Sequence, residues 1–274
     1  MVRPMANGAL QDHVVVITGG GSGLGAAFAR RLAADGAVII VNDLDADAAA
    51  VVADEVGGHA APFDVTDSAA FDAAIDHAVH DHGRLDVLVN NAGIAPQFDP
   101  DRFERTVANE MLRMEGRLDE MQPLGVLTSM TDGEWRRMLA VHLDGTFFGT
   151  RAALRHMQPA RRGVIVNIAS VLGLHPSSGA PHYSTAKAAI IALTKAAAEE
   201  VAPFGIRINA VCPGWVDTPL LSSYDDLAKG LITSRIPMGR MATAEELAEL
   251  VRFLAGPESS YSTGDVYPAS GGYA

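Results

Sequence analysis

Cysteine is nearly absent. Cys212 is the only one among 274 residues, which excludes an internal disulfide framework and any multi-cysteine zinc or iron–sulfur site and suits a reducing, cytoplasmic setting. Basic residues are also scarce, 21 against 33 acidic, and a formal charge of −12 repels phosphate backbones and anionic lipid surfaces. Neither a nucleic acid nor a membrane is therefore expected as a partner. No run of about 18 uninterrupted apolar residues occurs, and the opening MVRPMANGALQD holds no apolar core of signal-peptide length. Charged residues make up only 20% and hydrophobic ones 48%, so a disordered or fibrous chain is excluded. Linkers, composition breaks and internal repeats are missing too, which predicts one domain over residues 1–274.

What the chain does have is a rhythm. Short Val/Ile-rich runs alternate with Ala-rich or amphipathic stretches of helical length, the pattern of strands buried on both faces of a parallel sheet. Strands are predicted at Val14–Ile17, Val38–Val41, Ala60–Phe63, Val87–Val89, Val164–Ile168 and Arg207–Val211, with a short apolar end near Val266. Helices are predicted at Ala26–Ala34, Asp45–Val56, Ser68–His82, Asp132–His156, Tyr183–Ala202 and Ala244–Leu254. The expected fold class is α/β, a single doubly wound (Rossmann) parallel sheet with helices on both faces. One segment, residues 97–131, breaks the rhythm as a helical insertion after the fourth strand. There Phe103, Val107, Met111, Met114, Leu118 and Met121 fall on one stripe of an amphipathic helix, bent near Gly116, a candidate substrate lid or subunit contact.

Three local patterns carry chemistry. The first strand runs into Thr18, Gly19, Gly20, Gly21, Ser22, Gly23, Leu24 and Gly25, and a helix follows directly. Glycines permit close backbone approach, and a helix N-terminus offers free N–H groups and a positive dipole end to a pyrophosphate. Asp43 ends the second strand 18 residues beyond Gly25, where a carboxylate accepts hydrogen bonds from adenosine ribose hydroxyls and repels a 2′-phosphate. The expected cofactor is NAD. Tyr183 and Lys187, four apart at the start of a helix, share a face, so the ammonium is expected to draw the phenol pKa down from about 10 towards neutrality. Ser170 adds a hydroxyl at the carboxyl edge of the sheet, where open α/β sheets bind ligands.

Taken together these motifs resemble the short-chain dehydrogenase/reductase family. Thr18 to Gly25 matches its TGxxxGxG turn, Asp64 with Val65 its adenine-contacting pair, and Asn90, Asn91, Ala92 and Gly93 its NNAG sequence. Ser170, then Tyr183 13 residues on, then Lys187, match its Ser and YxxxK set, while Pro213, Gly214, Val216 and Thr218 match the segment at the nicotinamide end. The resemblance implies hydride transfer between nicotinamide and a secondary alcohol or its ketone. Ser170 would hold the substrate oxygen, Tyr183 would move the proton, and Lys187 would bind the nicotinamide ribose; no metal is implied. It also implies a homotetramer, built through the helices at Asp132–His156 and Tyr183–Ala202 and through the C-terminal end.

His142 departs from the pattern, occupying the position where the family places an asparagine that helps hold a relay water. As a fourth catalytic candidate it would titrate near neutral pH. His77, His80 and His82 read as an exposed polar face, His175 and His182 as surface residues, Cys212 as a core thiol, and Trp215 as a cavity or core residue. The apolar stretch Leu220–Met241 stands where the family carries its substrate loop and favours an apolar or amphipathic small-molecule substrate; its Lys229 and Arg235 are expected in solvent. Two alternatives stand beside the NAD(H)-dependent alcohol/ketone oxidoreductase. One is a 3-oxoacyl (ACP or CoA) reductase of the same family, and the other a non-catalytic NAD(H)-binding sensor or scaffold.

Overall fold

The computed structural model describes residues 8–221 and 224–273. Seven parallel strands form one sheet in the order β3-β2-β1-β4-β5-β6-β7. They are β1 (Val14–Ile17), β2 (Val38–Val41), β3 (His59–Ala60), β4 (Val87–Asn90), β5 (Gly163–Ile168), β6 (Ile206–Pro213) and β7 (Val266–Ala269). Side chains alternate across the sheet. Val15 and Ile17 of β1 pack into a cluster with α1 (Gly23–Ala34), α2 (Ala46–Val56) and, from the end of the chain, the helix Ala244–Ala255. Val14 and Val16 point the other way, towards α3 (Ser68–His82) and the two long central helices described below. Both faces are thus covered, which is why these strands read as unbroken apolar runs.

The third strand is shorter than expected. Only His59 and Ala60 pair, with Ile40 and Val41, and both are exposed, so nothing apolar marks this edge in the sequence. Segment 97–131 contains α4 (Pro100–Met114), a single 3-10 turn at Leu118–Glu120, and α5 (Val126–Ser129). Asp99 caps α4 by accepting the Arg102 N–H at 3.0 Å. The helix stops at Met114, where Gly116 takes φ +75. The stripe predicted to run on to Met121 is therefore cut, and Met111, Met114 and Leu118 are exposed.

The helix expected over Asp132–His156 is interrupted. It comprises α6 (Asp132–Leu139), a π-helical turn at Ala140–Asp144, and α7 (Gly145–Ala160). A π turn inserts one residue into the helical ladder and rotates the side chains that follow. Here it turns His142 inward, fully buried. Beside α7 runs α8 (Pro181–Val201), and a buried polar chain ties both helices to the sheet. The Asn90 amide donates to Asn167 Oδ1 at 2.8 Å and to Thr150 Oγ1 at 3.3 Å, and Asn167 donates to Thr194 Oγ1 at 2.9 Å. The chain closes with α9 (Asp226–Ser234), α10 (Ala244–Ala255) and β7.

Strand order reverses between β1 and β4, and the crevice at such a reversal is where an open parallel sheet takes its ligand. The turn after β1 is fitted tightly into it: a Cβ on Gly25 would lie 2.0 Å from the Gly19 carbonyl oxygen. Gly25→Ala is expected to destabilise the fold by about 1–3 kcal/mol, the usual range for overpacking, since backbone must move to admit the methyl. Urea unfolding checks this; an unchanged midpoint would mean the turn yields freely.

Candidate active site

A cavity of about 860 Å³ runs along the carboxyl ends of the strands. Its first end is made by the glycine turn. Gly19 and Gly23 take φ +61 and +50, conformations that favour glycine, and Gly19, Ser22, Gly23 and Leu24 line the wall. Asp43 stands beside them, one carboxylate oxygen accepting the Gly21 N–H at 2.9 Å and the other the Asp45 N–H at 3.1 Å. Asp64 and Val65 also line this end, with Thr66 donating to Asp64 through both its backbone and its hydroxyl. Of the glycine turn and the Asn90–Gly93 motif, Thr18, Gly20, Gly21, Gly25 and Asn90 stand behind the wall, Gly25 packing beneath the turn, and the other motif residues expected at a cofactor border the cavity. Asn91 is among them, and its side-chain amide donates to the Thr18 and Gly19 carbonyls at 2.9 and 3.0 Å.

At the other end the structure brings together Ser170, Tyr183, Lys187 and His142, all on the cavity wall. Ser170 follows β5, and its Oγ accepts the Leu172 N–H at 3.1 Å, which leaves the hydroxyl proton free to be donated elsewhere. Tyr183 and Lys187 lie in the first turns of α8. The Lys187 ammonium donates to the Ile168 carbonyl at 2.7 Å and sits 5.6 Å from the centre of the Tyr183 ring. Burial dominates both groups. It pushes the Tyr183 phenol up to about 12, against the opposing pull of the Ser170 hydroxyl, and pushes Lys187 down to about 7. The expected drawing-down of the tyrosine by the lysine is therefore not met in the protein alone. Cys212, in β6 below, is likewise pushed up by burial, to about 11.

His142 differs from its sequence expectation. Its Nε2 lies 3.1 Å from the Ile94 nitrogen and 3.0 Å from the Ile94 oxygen, so one neutral tautomer accepts the N–H and the other donates to the carbonyl. The ring meets Tyr183 edge to face at 5.2 Å, and Gly93 packs so closely that a Cβ there would lie 2.5 Å from His142 Cε1. Burial, reinforced by the nearby Lys187 charge, holds its pKa well below 6.5. Titration near neutrality is thus replaced by an imidazole that is neutral around pH 7.

The remaining walls were only partly foreseen. Trp215 lines the cavity, as do Leu220, Leu221, Leu231, Ile232 and Arg235 of the apolar stretch. Arg235 is exposed, as expected, and also forms an ion pair with Glu110 of α4. His175 is exposed, whereas His182 is half-buried with its pKa lowered by desolvation. From segment 97–131, Phe98, Arg102, Phe103, Val107 and Glu110 border the cavity. Sequence reasoning passed over Phe98, Tyr224 and Tyr273; no local pattern marks them, because only the folded chain brings them together.

Comparison with known proteins fits this architecture. Residues 13–115 match the family model described as short chain dehydrogenase, and residues 121–274 match the one described as enoyl-(acyl carrier protein) reductase. The cis-4-hydroxycyclohexanecarboxylate dehydrogenase of Sinomonas cyclohexanicum is 37% identical over 97% of this chain and 98% of that protein. The 3-oxoacyl-(acyl-carrier-protein) reductase of Thermotoga maritima is 34% identical over 96% and 98%, and the meso-2,3-butanediol dehydrogenase of Serratia marcescens 36% over 95% and 94%. A crystal structure described as ribose-5-phosphate isomerase from Brucella melitensis 16M is 35% identical, with a TM-score of 0.84 over 98% of this chain and 94% of that one. The chain belongs to the short-chain dehydrogenase/reductase family and is an oxidoreductase of that family's α/β type.

A neutral buried histidine makes stability depend on pH. The unfolded chain binds the His142 proton near 6.5 and the folded chain does not, so stability falls as pH drops below that value, by up to about 1.4 kcal/mol per pH unit. His142→Asn removes the titrating group, and its urea midpoint is expected to fall less between about pH 7 and 5 than that of the wild type. Identical pH dependence would mean that the imidazole is protonated in the folded protein.

Proposed function

We propose that this protein is an NAD(H)-dependent oxidoreductase interconverting a secondary alcohol and its ketone on an apolar or amphipathic small molecule. One observation carries the reading: Ser170, Tyr183 and Lys187 meet at one end of a cavity whose other end is lined by Gly19, Ser22, Gly23 and Asp43. The names of the relatives, dehydrogenases of cis-4-hydroxycyclohexanecarboxylate and of meso-2,3-butanediol, support it. With the family membership go the expectations of a homotetramer, a cytoplasmic location and a single catalytic domain carrying its insertion at 97–131.

The residues suit a nicotinamide adenine dinucleotide. The N-terminus of α1 opens on the cavity through Ser22, Gly23 and Leu24, whose side chains supply no cap, so its N–H groups and positive dipole end are left for a pyrophosphate. Asp43, already anchored on the Gly21 N–H, would accept from the adenosine ribose and repel a 2′-phosphate. Asp64 and Val65 would flank the adenine, Asn91, Ala92 and Gly93 would border the dinucleotide, and Pro213, Gly214, Val216 and Thr218 the nicotinamide. When bound, the cofactor supplies or takes the hydride.

The protein's own groups handle the proton and the oxygen. Ser170, its Oγ already accepting from Leu172, donates to the substrate oxygen on which negative charge develops. Tyr183 gives a proton to that oxygen in reduction and takes one in oxidation. A phenol held near 12 is protonated at neutral pH and so ready for reduction, while oxidation requires it to ionise. Lys187 holds the nicotinamide ribose, and its carbonyl anchor at Ile168 fixes the ammonium beside the Tyr183 ring. His142 positions both the Gly93–Ile94 backbone and the Tyr183 ring. The 3-oxoacyl reductase alternative rests on the Thermotoga maritima relative, and Asp43 speaks against the 2′-phosphate cofactor such a reaction often uses.

Assays with NADH and NADPH at matched concentration, over a panel of alcohols and ketones, test this reading. Tyr183→Phe is expected to lower kcat by about 10²–10⁴-fold with dinucleotide binding retained, as loss of a proton-transfer group does. Undiminished turnover would remove Tyr183 from the mechanism, and a strong NADPH preference would overturn the role given to Asp43. From about pH 7 to 10 the oxidation rate is expected to rise with the phenolate fraction, while the reduction rate stays nearly level because a phenol held near 12 remains protonated throughout.

A further inference from the structure

Five aromatic side chains from four separate parts of the chain form one continuous arc on the cavity wall. Phe103 and Phe98, from the segment after β4, have ring centres 5.7 Å apart; Phe98 meets Tyr224 at 4.4 Å, with an interplanar angle of 35°. Tyr224, just before α9, meets Trp215 at 6.2 Å, and Trp215 meets Tyr273, near the chain end, at 6.4 Å. These separations are those at which aromatic rings attract one another by offset or edge-to-face contact. Glu110 of α4 and Arg235 at the end of α9 form the half-exposed ion pair already described, joining the helices that follow Phe98 and Tyr224 in the chain.

We propose that this arc, closed by the Glu110–Arg235 clasp, is the specificity element of the site, and that it selects a compact ring-bearing secondary alcohol or ketone that is free in solution. The proposal rests on the alcohol/ketone reading above and names the substrate class of that same site. Two features lead to it. A wall of stacked and tilted rings presents flat faces and polarised edges, which a six-membered ring contacts over its whole surface and a flexible chain contacts only after losing rotational freedom. The clasp and the Phe98–Tyr224 contact both bridge the stretch from Phe98 through α4 to the stretch from Tyr224 through α9. An acyl chain tethered to a carrier, leaving the cavity between these walls, would have to part both.

Matched substrates test the proposal. The pairs are cyclohexanol against 2-hexanol and 1-phenylethanol against 2-octanol, with 3-hydroxybutyryl-CoA as the tethered substrate, each with NAD⁺ and NADP⁺. Wild type is expected to favour the ring alcohol of each pair by about tenfold or more in kcat/KM, and to favour it over the thioester by at least as much. Phe98→Leu and Tyr224→Leu are expected to reduce the ring-to-chain ratio to within about threefold, and NADH binding followed by fluorescence shows that each variant is folded. Glu110→Arg is expected to raise the thioester's relative rate, and adding Arg235→Glu to restore the wild-type ratio through the reversed pair. Equal or better turnover of the chain alcohols or the thioester by wild type overturns the role given to the arc while leaving the alcohol/ketone reading intact. So does an equal fall on ring and chain substrates in both leucine variants. Turnover of none of these alcohols, with NADH still bound, overturns the catalytic reading and the role of the arc with it.

Discussion

Four hydrogen bonds between the ends of β1 and β4 hold the two halves of the site together. The Thr18 hydroxyl oxygen accepts the Asn91 and Ala92 N–H groups, both at 3.0 Å, and the Asn91 amide returns two donations to the Thr18 and Gly19 carbonyls. The glycine turn follows β1, and the Gly93–Ile94 segment on which His142 bears follows β4. Rotating either strand end would move the glycine-turn end of the cavity relative to the end that holds Ser170, Tyr183 and Lys187. Both loops are therefore set by the same short lattice, on the one gap in the sheet where strand order reverses.

The second constraint is desolvation. Tyr183, Lys187, Cys212 and His142 all lie in a region where burial disfavours charge, and each departs from its ordinary pKa in the direction of its neutral form. In such surroundings a single added charge acts strongly, because little water is present to screen it. The ammonium of Lys187 is held by one carbonyl instead of a carboxylate, so its charge is not cancelled by a permanent counterion. A histidine in place of an amide at position 142 keeps one backbone contact at a time, where an amide would satisfy donor and acceptor together.

Much of the fold was legible because the sheet is buried on both sides: β1, β2 and β4 announce themselves as apolar runs, and α3 keeps its expected limits at Ser68 and His82. The misplaced third strand is exposed and two residues long, and its pairing depends on β2 more than on its own composition. The π turn is equally silent, since Ala140 to Asp144 continue an ordinary helical pattern and the extra residue shows only in the backbone. Spacing carried the stripe of α4 past its real end because Leu118 and Met121 fall on the right angle by coincidence of count, while the Gly116 backbone ends the helix. Ser170, Tyr183, Lys187 and the glycine turn could be read from local motifs. Phe98, Tyr224 and Tyr273 could not, since their only common property is the place where the folded chain sets them.

Cys212 gives the protein a practical property that its sequence position hides. The sole sulfhydryl is fully buried in β6 and held in its protonated, unreactive form, so the surface is chemically silent towards thiol-directed reagents. A cysteine introduced on an exposed position of α4, such as Met114, would be the one accessible site for a fluorophore or spin label. The native protein is thus already prepared for carrying a single label on the helix whose other face borders the cavity.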